Sequence, residues 1–338
     1  FCRKAADARP GVRMRLFLRI TAVYLVFGML FVTIFRDNPL PMIVEIATLM
    51  PQSVALFLEY GWWVLVPFLV IFAATPREAV LHRLPGAIVV AFVCGVFFLT
   101  FTIVKSSLTF GVPFYAGPLL ADIDRMLHFG TDPWRIAHLA SQWINADWAV
   151  MVYAALWFAP AMYFPVVLRL FDNDEVRIQR YDLLFAFVWI VLGNVAAMIF
   201  MSEGPVYFDR VNGGDQFAAL LQSLEKSGVA SSAAGNTQQF LWDMHAGSGL
   251  SAGSGISAFP SVHVAMVTVI AVYVAERIRL LLVPAALFVA IYQFLSVYLG
   301  WHYAIDGYAS ILAVLAMHRW LLRRNFVLGP QGTLTTTA

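Results

Sequence analysis

Charge is scarce in this chain of 338 residues. Asp, Glu, Lys and Arg make up 12% of it, about half the roughly 25% of a soluble domain. Cysteine is scarcer. Cys2 and Cys94 are the two in the chain, too few for a disulfide framework, and Cys94 lies in an apolar run. With 22 basic and 20 acidic residues the net charge is +2, which argues against nucleic acid as the main partner. The sequence is instead 61% hydrophobic and 15% aromatic. Such aromatic content excludes a disordered chain. A soluble core could not hide this much apolar surface, so the chain reads as an all-α integral membrane protein.

A hydrocarbon core about 30 Å thick takes about 20 apolar residues in helix. Eight stretches qualify: 15–35, 53–74, 84–104, 148–171, 182–202, 260–276, 281–300 and 303–322. The first is longer than a signal-peptide core and lacks a small-residue cleavage pattern, so it reads as a retained span. An even number puts both termini on one side. Lys and Arg predict that side to be the cytoplasm. Of the 22 basic residues, the outer segments hold Arg36, Lys105, Arg125, Arg135, Arg210 and Lys226, and the inner segments hold the rest.

The organisation expected is an N-terminal segment with three spans over 1–104 and an outer interfacial segment over 105–147. A catalytic membrane core over 148–322 includes the outer loop 203–259, and a cytoplasmic tail covers 323–338. The Gly/Ser/Ala-rich stretch from Ser227 to Ser257 is low in complexity and is expected to be mobile. Its loop is too long to be a mere connection. The tail from Gly329 to Ala338 reads as disordered polar sequence.

Two segments carry chemistry. Ala258-Phe259-Pro260-Ser261-Val262-His263 opens the sixth span. Pro260 suits a first helical turn, Ser261 can cap it, and the free N–H groups attract an anion. His263 adds an ionisable proton donor to that cradle. Gly300-Trp301-His302-Tyr303-Ala304-Ile305-Asp306 opens the eighth span. His302 and Asp306 are four residues apart and share a helix face. The carboxylate can hold one imidazole nitrogen and leave the other to attack. An aspartate in a span costs roughly 2.5–3.5 kcal/mol, and such residues mark function. The seventh span returns the chain, so both segments sit at one membrane face. Further candidates are His245 beside Asp243 for a headgroup, and Tyr303 or Tyr207 for a substrate hydrogen bond. Glu203 reads either as a gate or as a span-end cap.

These motifs resemble the type 2 phosphatidic acid phosphatase superfamily, whose later signatures are PSGH and SRxxxxxHxxxD. Pro260-Ser261-Val262-His263 matches the first except at Val262. The second matches through His302 and Asp306, with Ser296 where the family has arginine and Leu295 where it has serine. The upstream KxxxxxxRP signature is absent. These departures, and the segments Asp122-x-Asp124-Arg125, Gly130-Thr131-Asp132-Pro133-Trp134 and Gly204-Pro205-Val206-Tyr207, look like bacterial members of the inositol phosphorylceramide synthase branch. The resemblance implies a six-helix lipid-phosphatase-like core facing the exterior of a bacterial inner membrane.

Carried over, it makes His302 a nucleophile forming phosphohistidine, Asp306 its orienting partner and His263 the general acid and base. Ser261 and the amides after Pro260 would hold phosphate oxygens. A cation must replace the missing arginine, with Arg210 first and Arg125 or Lys105 next. No metal or cofactor is implied. The partners implied are a phospholipid or polyprenyl phosphate donor and an alcohol or water acceptor. An alcohol makes the enzyme a headgroup transferase, inositol-phosphate-like by the branch resemblance, and water makes it a phosphatase. Two other readings are a non-catalytic phospholipid binder or transporter, and a metalloenzyme using His263, His302, Asp306 and His245.

Overall fold

A computed structural model describes residues 10–36, single positions between 38 and 48, residues 77–247 and 255–324, and the short segments 326–328 and 334–336. The expected span 53–74 lies outside the described residues. Apolar runs become helix because a backbone away from water must satisfy its own hydrogen bonds. Thirteen helices follow in order among the described residues. They are α1 (Pro10–Phe35), α2 (Arg77–Gly111), α3 (Gly117–Leu127), α4 (Pro133–His138), α5 (Ala146–Met162), α6 (Phe164–Phe171) and α7 (Glu175–Ile199). After them come α8 (Phe208–Asn212), α9 (Ala218–Lys226), α10 (Ala233–Ala246), α11 (Val262–Arg277), α12 (Leu282–Tyr298) and α13 (Ala304–Arg324). The all-α reading holds apart from a short antiparallel pairing of Phe326–Leu328 with Leu334–Thr336. Its second strand, Leu334–Thr336, falls within the tail expected to be disordered.

Among the described residues, α1, α2, α7 and the helix ending at Tyr298 are long and apolar enough to cross a membrane. The bent pair α5–α6 makes a fifth, with a break of 58°. Pro165 follows the bend; its ring lacks an N–H and clashes with the preceding turn. Two expected spans, 260–276 and 303–322, form α11 and α13 but are less clear-cut membrane helices. The first has 16 residues, and the second carries Asp306, His318 and three arginines. The third span also differs from expectation. Its helix does not stop at 104 but runs on to Gly111, so Lys105 sits inside a helix rather than in an outer segment.

Aromatic rings fill the core between α1, α2 and α7. Phe97 lies 6.0 Å from Phe17 and 5.3 Å from Phe185, and Phe98 meets Trp189 edge-on at 4.6 Å. Pairs of this geometry add about 0.5–1.5 kcal/mol beyond their burial. At the far end of α11 from His263, Asp172 is fully buried and accepts bonds from Arg177 at 2.6 and 2.7 Å, Tyr273 at 3.0 Å and Arg277 at 3.1 Å. Arg169 makes a two-pronged bond to Asp182 beside it, both arms 2.5 Å.

The stretch from Ser227 to Ser257, of which 248–254 lie outside the described residues, differs from expectation where it is described. Much of it is the helix α10, capped by Ser232, whose hydroxyl accepts the N–H of Ala234 at 3.2 Å. Gln238 on α10 donates to the carbonyl of Leu299 at 2.8 Å, and Tyr207 donates to the carbonyl of Gln238 at 2.8 Å. These bonds fasten an ordered helical cap over the turn that carries His302. Small residues were read as looseness, whereas Ala and Gln are good helix formers once a cap is present.

Candidate active site

Three chain segments meet at the site, laced by backbone hydrogen bonds. The carbonyl of Ser202 accepts the N–H of Ala258 at 2.8 Å. Val206 donates to Gly300 at 3.2 Å, and Ser261 donates to Asp306 at 3.3 Å. Close approach needs glycine here. Gly204 has φ +80°, and a Cβ on it would stand 2.7 Å from the Trp301 carbonyl. Gly300 turns the chain from α12 to α13 with φ +76°, a region that side chains with a Cβ rarely adopt.

His302 sits just before α13. Its Nδ1 lies 3.2 Å from Asp306 Oδ2, which also accepts the N–H of Tyr303 at 3.1 Å. Asp306 is 0% exposed and His302 is 9% exposed. A carboxylate so placed fixes the tautomer and leaves Nε2 with its lone pair outward. Ser296, at the family's arginine position, is buried and turns its hydroxyl back to Gln293 at 2.8 Å. It supplies no donor to the cavity.

His263 stands in the first turn of α11, as expected. Pro260 does not. The helix starts at Val262, Ser261 is its cap, and Pro260 precedes the cap. The Ser261 hydroxyl accepts the N–H of Val264 at 3.4 Å and its amide is bonded to Asp306, so Ser261 locks two helix starts together. The His263 ring stacks on Trp157 at 3.8 Å and on Tyr153 at 4.5 Å. Trp157 donates its indole N–H to the His263 carbonyl at 3.2 Å. Tyr153 belongs to a π-helical stretch, Met151–Ala155, within α5; such wide turns occur often at functional sites.

A cavity of about 420 Å³ opens among these elements, and Lys105, Glu203, Pro260, His263, Trp301 and His302 are on its wall. Lys105 donates to the carbonyls of Ser257 at 3.3 Å and Gly193 at 3.4 Å. Arg210, ranked first from sequence, and Arg125, ranked level with Lys105, are not on that wall. Arg210 is exposed, bonded to Gln239 at 3.2 Å and lying over Trp242. Arg125 pairs with Asp132 at 2.8 Å. Arg210 is held on α8 and Arg125 on α3, and neither lines the cavity with the imidazoles. His245 packs near Phe114 and Trp242 away from the cavity. Tyr303 is buried behind the His302 turn, and its hydroxyl finds no partner among the described residues.

Asp124 carries a role the sequence did not disclose. From α3 it accepts the N–H of Ile305 at 2.9 Å and of Ala304 at 3.1 Å, capping α13 from outside. Burial pushes its carboxyl up to about 6, against the pull of those two amides. The cap partner is 180 residues distant, so no local spacing reveals it. Trp157 and Tyr153 were equally hidden among aromatics of the fifth helix. Glu203, on the cavity wall, is also raised by burial.

Two imidazoles, a supporting carboxyl and a lysine side chain around one cavity in a helical membrane protein suit phosphoryl chemistry. A family model described as PAP2 superfamily matches residues 118–320, and the chain belongs to that superfamily. No curated protein and no solved structure matches the chain. The protein is therefore an integral membrane enzyme of phosphatase or phosphotransferase type, acting on phospholipid-type substrates with water or an alcohol as acceptor.

Proposed function

We propose that the enzyme transfers a phosphate-containing headgroup, inositol-phosphate-like in character, through a phosphohistidine on His302. The observation that carries this reading is the 3.2 Å contact from Asp306 to His302 Nδ1 beside a cavity shared with His263. In the first step His302 Nε2 bonds to phosphorus and the bond from phosphorus to the leaving oxygen breaks. His263 gives that oxygen a proton. In the second step His263 takes a proton from the acceptor hydroxyl, the new oxygen–phosphorus bond forms, and the nitrogen–phosphorus bond breaks.

Charge gathers on the phosphoryl oxygens as the histidine attacks. Lys105 on the cavity wall supports a role for its ammonium in balancing that charge. The amides of Val262 and His263, at the start of α11, add the positive end of a helix dipole. Transfer rather than hydrolysis needs water kept out. The helical cap tied to Leu299 through Gln238 favours transfer on that ground. The arrangement of basic residues supports a site on the outer face, with both termini cytoplasmic.

The test is to trap the intermediate from radiolabelled lipid donors and to identify products by mass spectrometry with water, inositol, ceramide and diacylglycerol as acceptors. Acid-labile, base-stable label on wild type and none on His302→Ala is expected. Normal labelling of His302→Ala rules the assignment out. Release of free phosphate or phosphorylated headgroup alone, whatever alcohol is present, makes the enzyme a phosphatase.

A further inference from the structure

A groove of about 760 Å³ lies between α12 and α13, with α11 as its floor. It is larger than the cavity of about 420 Å³ at the imidazoles. Small side chains make it. Ala271 and Ala275 on α11 and Ala285 and Ala286 on α12 leave room that Ile311 and Leu315 on α13 do not fill. Nearer the imidazoles the same two helices touch. Gln293 donates to the Ala304 carbonyl at 3.0 Å, and its side chain packs on Gly307, where a Cβ would collide with it. The groove therefore opens toward the end of the bundle away from the catalytic cavity.

Charge at that end is unevenly paired. Arg169, Arg177, Arg180 and Arg277 each meet a carboxylate. Arg279, in the turn before α12, and Arg319, on α13, do not. Both are exposed on the groove wall, and neither has a hydrogen bond or ion pair among the described residues. Glu276 is the acid on that wall, and its carboxylate is already engaged by Arg180, by Tyr181 at 2.8 Å and by His318 at 3.4 Å. Arg323 borders an adjoining hollow that shares Leu315, His318 and Arg319. Basic residues at a helix end set topology whether or not they share a site. Arg279 and Arg319 come from different elements and flank one apolar groove, an arrangement that holds anionic headgroups between membrane helices.

We propose that this groove binds an anionic phospholipid as a resident ligand that is not a substrate. An acyl chain lies along the small residues, and the headgroup phosphate meets Arg279 and Arg319, whose planar forks suit phosphate oxygens. Free phosphate lacks the chain that would cover the apolar walls. A zwitterionic headgroup brings a cation that two unpaired arginines repel. A headgroup held there is out of reach of the histidines, because Arg319 and Asp306 stand about 20 Å apart along the axis of α13. The site is thus separate from the catalytic cavity and does not depend on the phosphoryl-transfer reading.

The experiment uses the full chain in detergent on a His302→Ala background, so that bound lipid is not turned over. Native mass spectrometry measures binding of phosphatidylglycerol and of phosphatidylcholine. Arg279→Gln combined with Arg319→Gln is expected to weaken phosphatidylglycerol binding by about tenfold or more and to leave phosphatidylcholine binding nearly unchanged. Arginine-to-lysine changes at both positions, which keep the charge, are expected to retain part of the preference. Ala286→Phe places a ring in the groove and leaves both arginines in place, and it is expected to weaken phosphatidylglycerol binding as well. Equal losses for the two lipids, or no loss, overturn the proposal.

Photo-cross-linking separates this groove from the catalytic cavity. Phosphatidylglycerol carrying a diazirine in one acyl chain is expected to label residues 268–289 and 311–319 of the chain with both arginines intact. Labelling confined to the walls of the catalytic cavity overturns the proposal. A dimer of the chain in place of the lipid adduct, lost in the same variants, makes the occupant a second copy and also overturns it. The cross-link needs no altered arginine, so it decides the matter even where the arginine variant fails to fold.

Discussion

The backbone N–H of Ser261 points to the carbonyl oxygen of Asp306 at 3.3 Å. One hydrogen bond thereby joins the start of the helix bearing His263 to the start of the helix bearing the His302 support. The two motifs are distant in sequence, but their spacing in the fold is set by the backbone rather than by flexible side chains. Preorganisation of this kind lets catalytic groups meet charge without rearranging.

Asp306→Asn tests the support. The amide keeps the shape but cannot hold a charged imidazole, and it can present the wrong atom to Nδ1. The expected result is a fall in kcat of about 10²–10⁴ with lipid binding nearly unchanged. Rapid-quench measurement of phosphoenzyme formation and a lipid-binding assay check it. His263→Ala should slow both formation and breakdown, and donors with a good leaving group should restore formation in part.

Lys105 faces the same cavity from α2. Lys105→Met removes the ammonium while keeping most of the stem. A loss of at least tenfold in kcat/KM is expected, with Lys105→Arg retaining part of it. Parallel Arg210→Ala and Arg125→Ala variants should stay within about threefold, an order-of-magnitude expectation for cations off the cavity wall, which cannot meet the phosphoryl charge directly. Steady-state kinetics on the set decides which cation serves the phosphate.

Gly204→Ala places a methyl against the Trp301 carbonyl at a backbone angle that alanine resists. Strain of about 1–3 kcal/mol is expected, and it falls on the turn that carries His302. The enzyme should lose kcat more than thermal stability. Comparison of melting temperature with kcat checks this, and equal loss in both would show that the turn is merely structural.

Asp124 sets a pH dependence. Burial raises its carboxyl from 3.8 to about 6. The folded protein therefore holds this proton more tightly than the unfolded chain. The sign follows from linkage: its contribution favours folding most at low pH and declines as pH rises from about 4 to about 6. Melting temperatures of Asp124→Asn should lack that decline, and difference curves against wild type across this window check it.

Chelation and vanadate address the chemistry directly. A histidine nucleophile aided by Lys105 predicts that EDTA leaves turnover intact while vanadate, a mimic of pentavalent phosphorus, inhibits. Activity lost in EDTA and restored by zinc would favour the metalloenzyme reading.

Much of the fold was legible because apolar runs of about 20 residues have few alternatives to a spanning helix. His302 and Asp306 were expected to share one helix face; in the structure His302 precedes α13, and the pair forms because Asp306 in the first turn reaches back to it at 3.2 Å. The place of His263 in the first turn of α11 was legible from Ser261 as a cap, although Pro260 stands before that cap. Lys105 was ranked after Arg210 and level with Arg125, and it was expected in an outer segment, whereas the helix runs past it to Gly111. Asp124, Tyr153 and Trp157 act across 106 to 181 positions of sequence, and no local pattern records a partner so remote. The ordered cap was missed because the carbonyl of Leu299 and the side chain of Gln238 meet only after folding.

The buried Asp172, gripped by Arg177, Arg277 and Tyr273, has one more consequence. Burial alone would lift its carboxyl, but the Arg177 bonds and the other donors outweigh that and hold it at about 2. One end of the bundle is thus clamped by charge, while α10, lying over the opposite end, is held through Gln238 by neutral hydrogen bonds. Lipid admission should then work like a tweezer with a fixed hinge, the arms parting only near the imidazoles. Amide exchange that is slow around 172–182 and fast around 233–246 would be the signature of that asymmetric breathing.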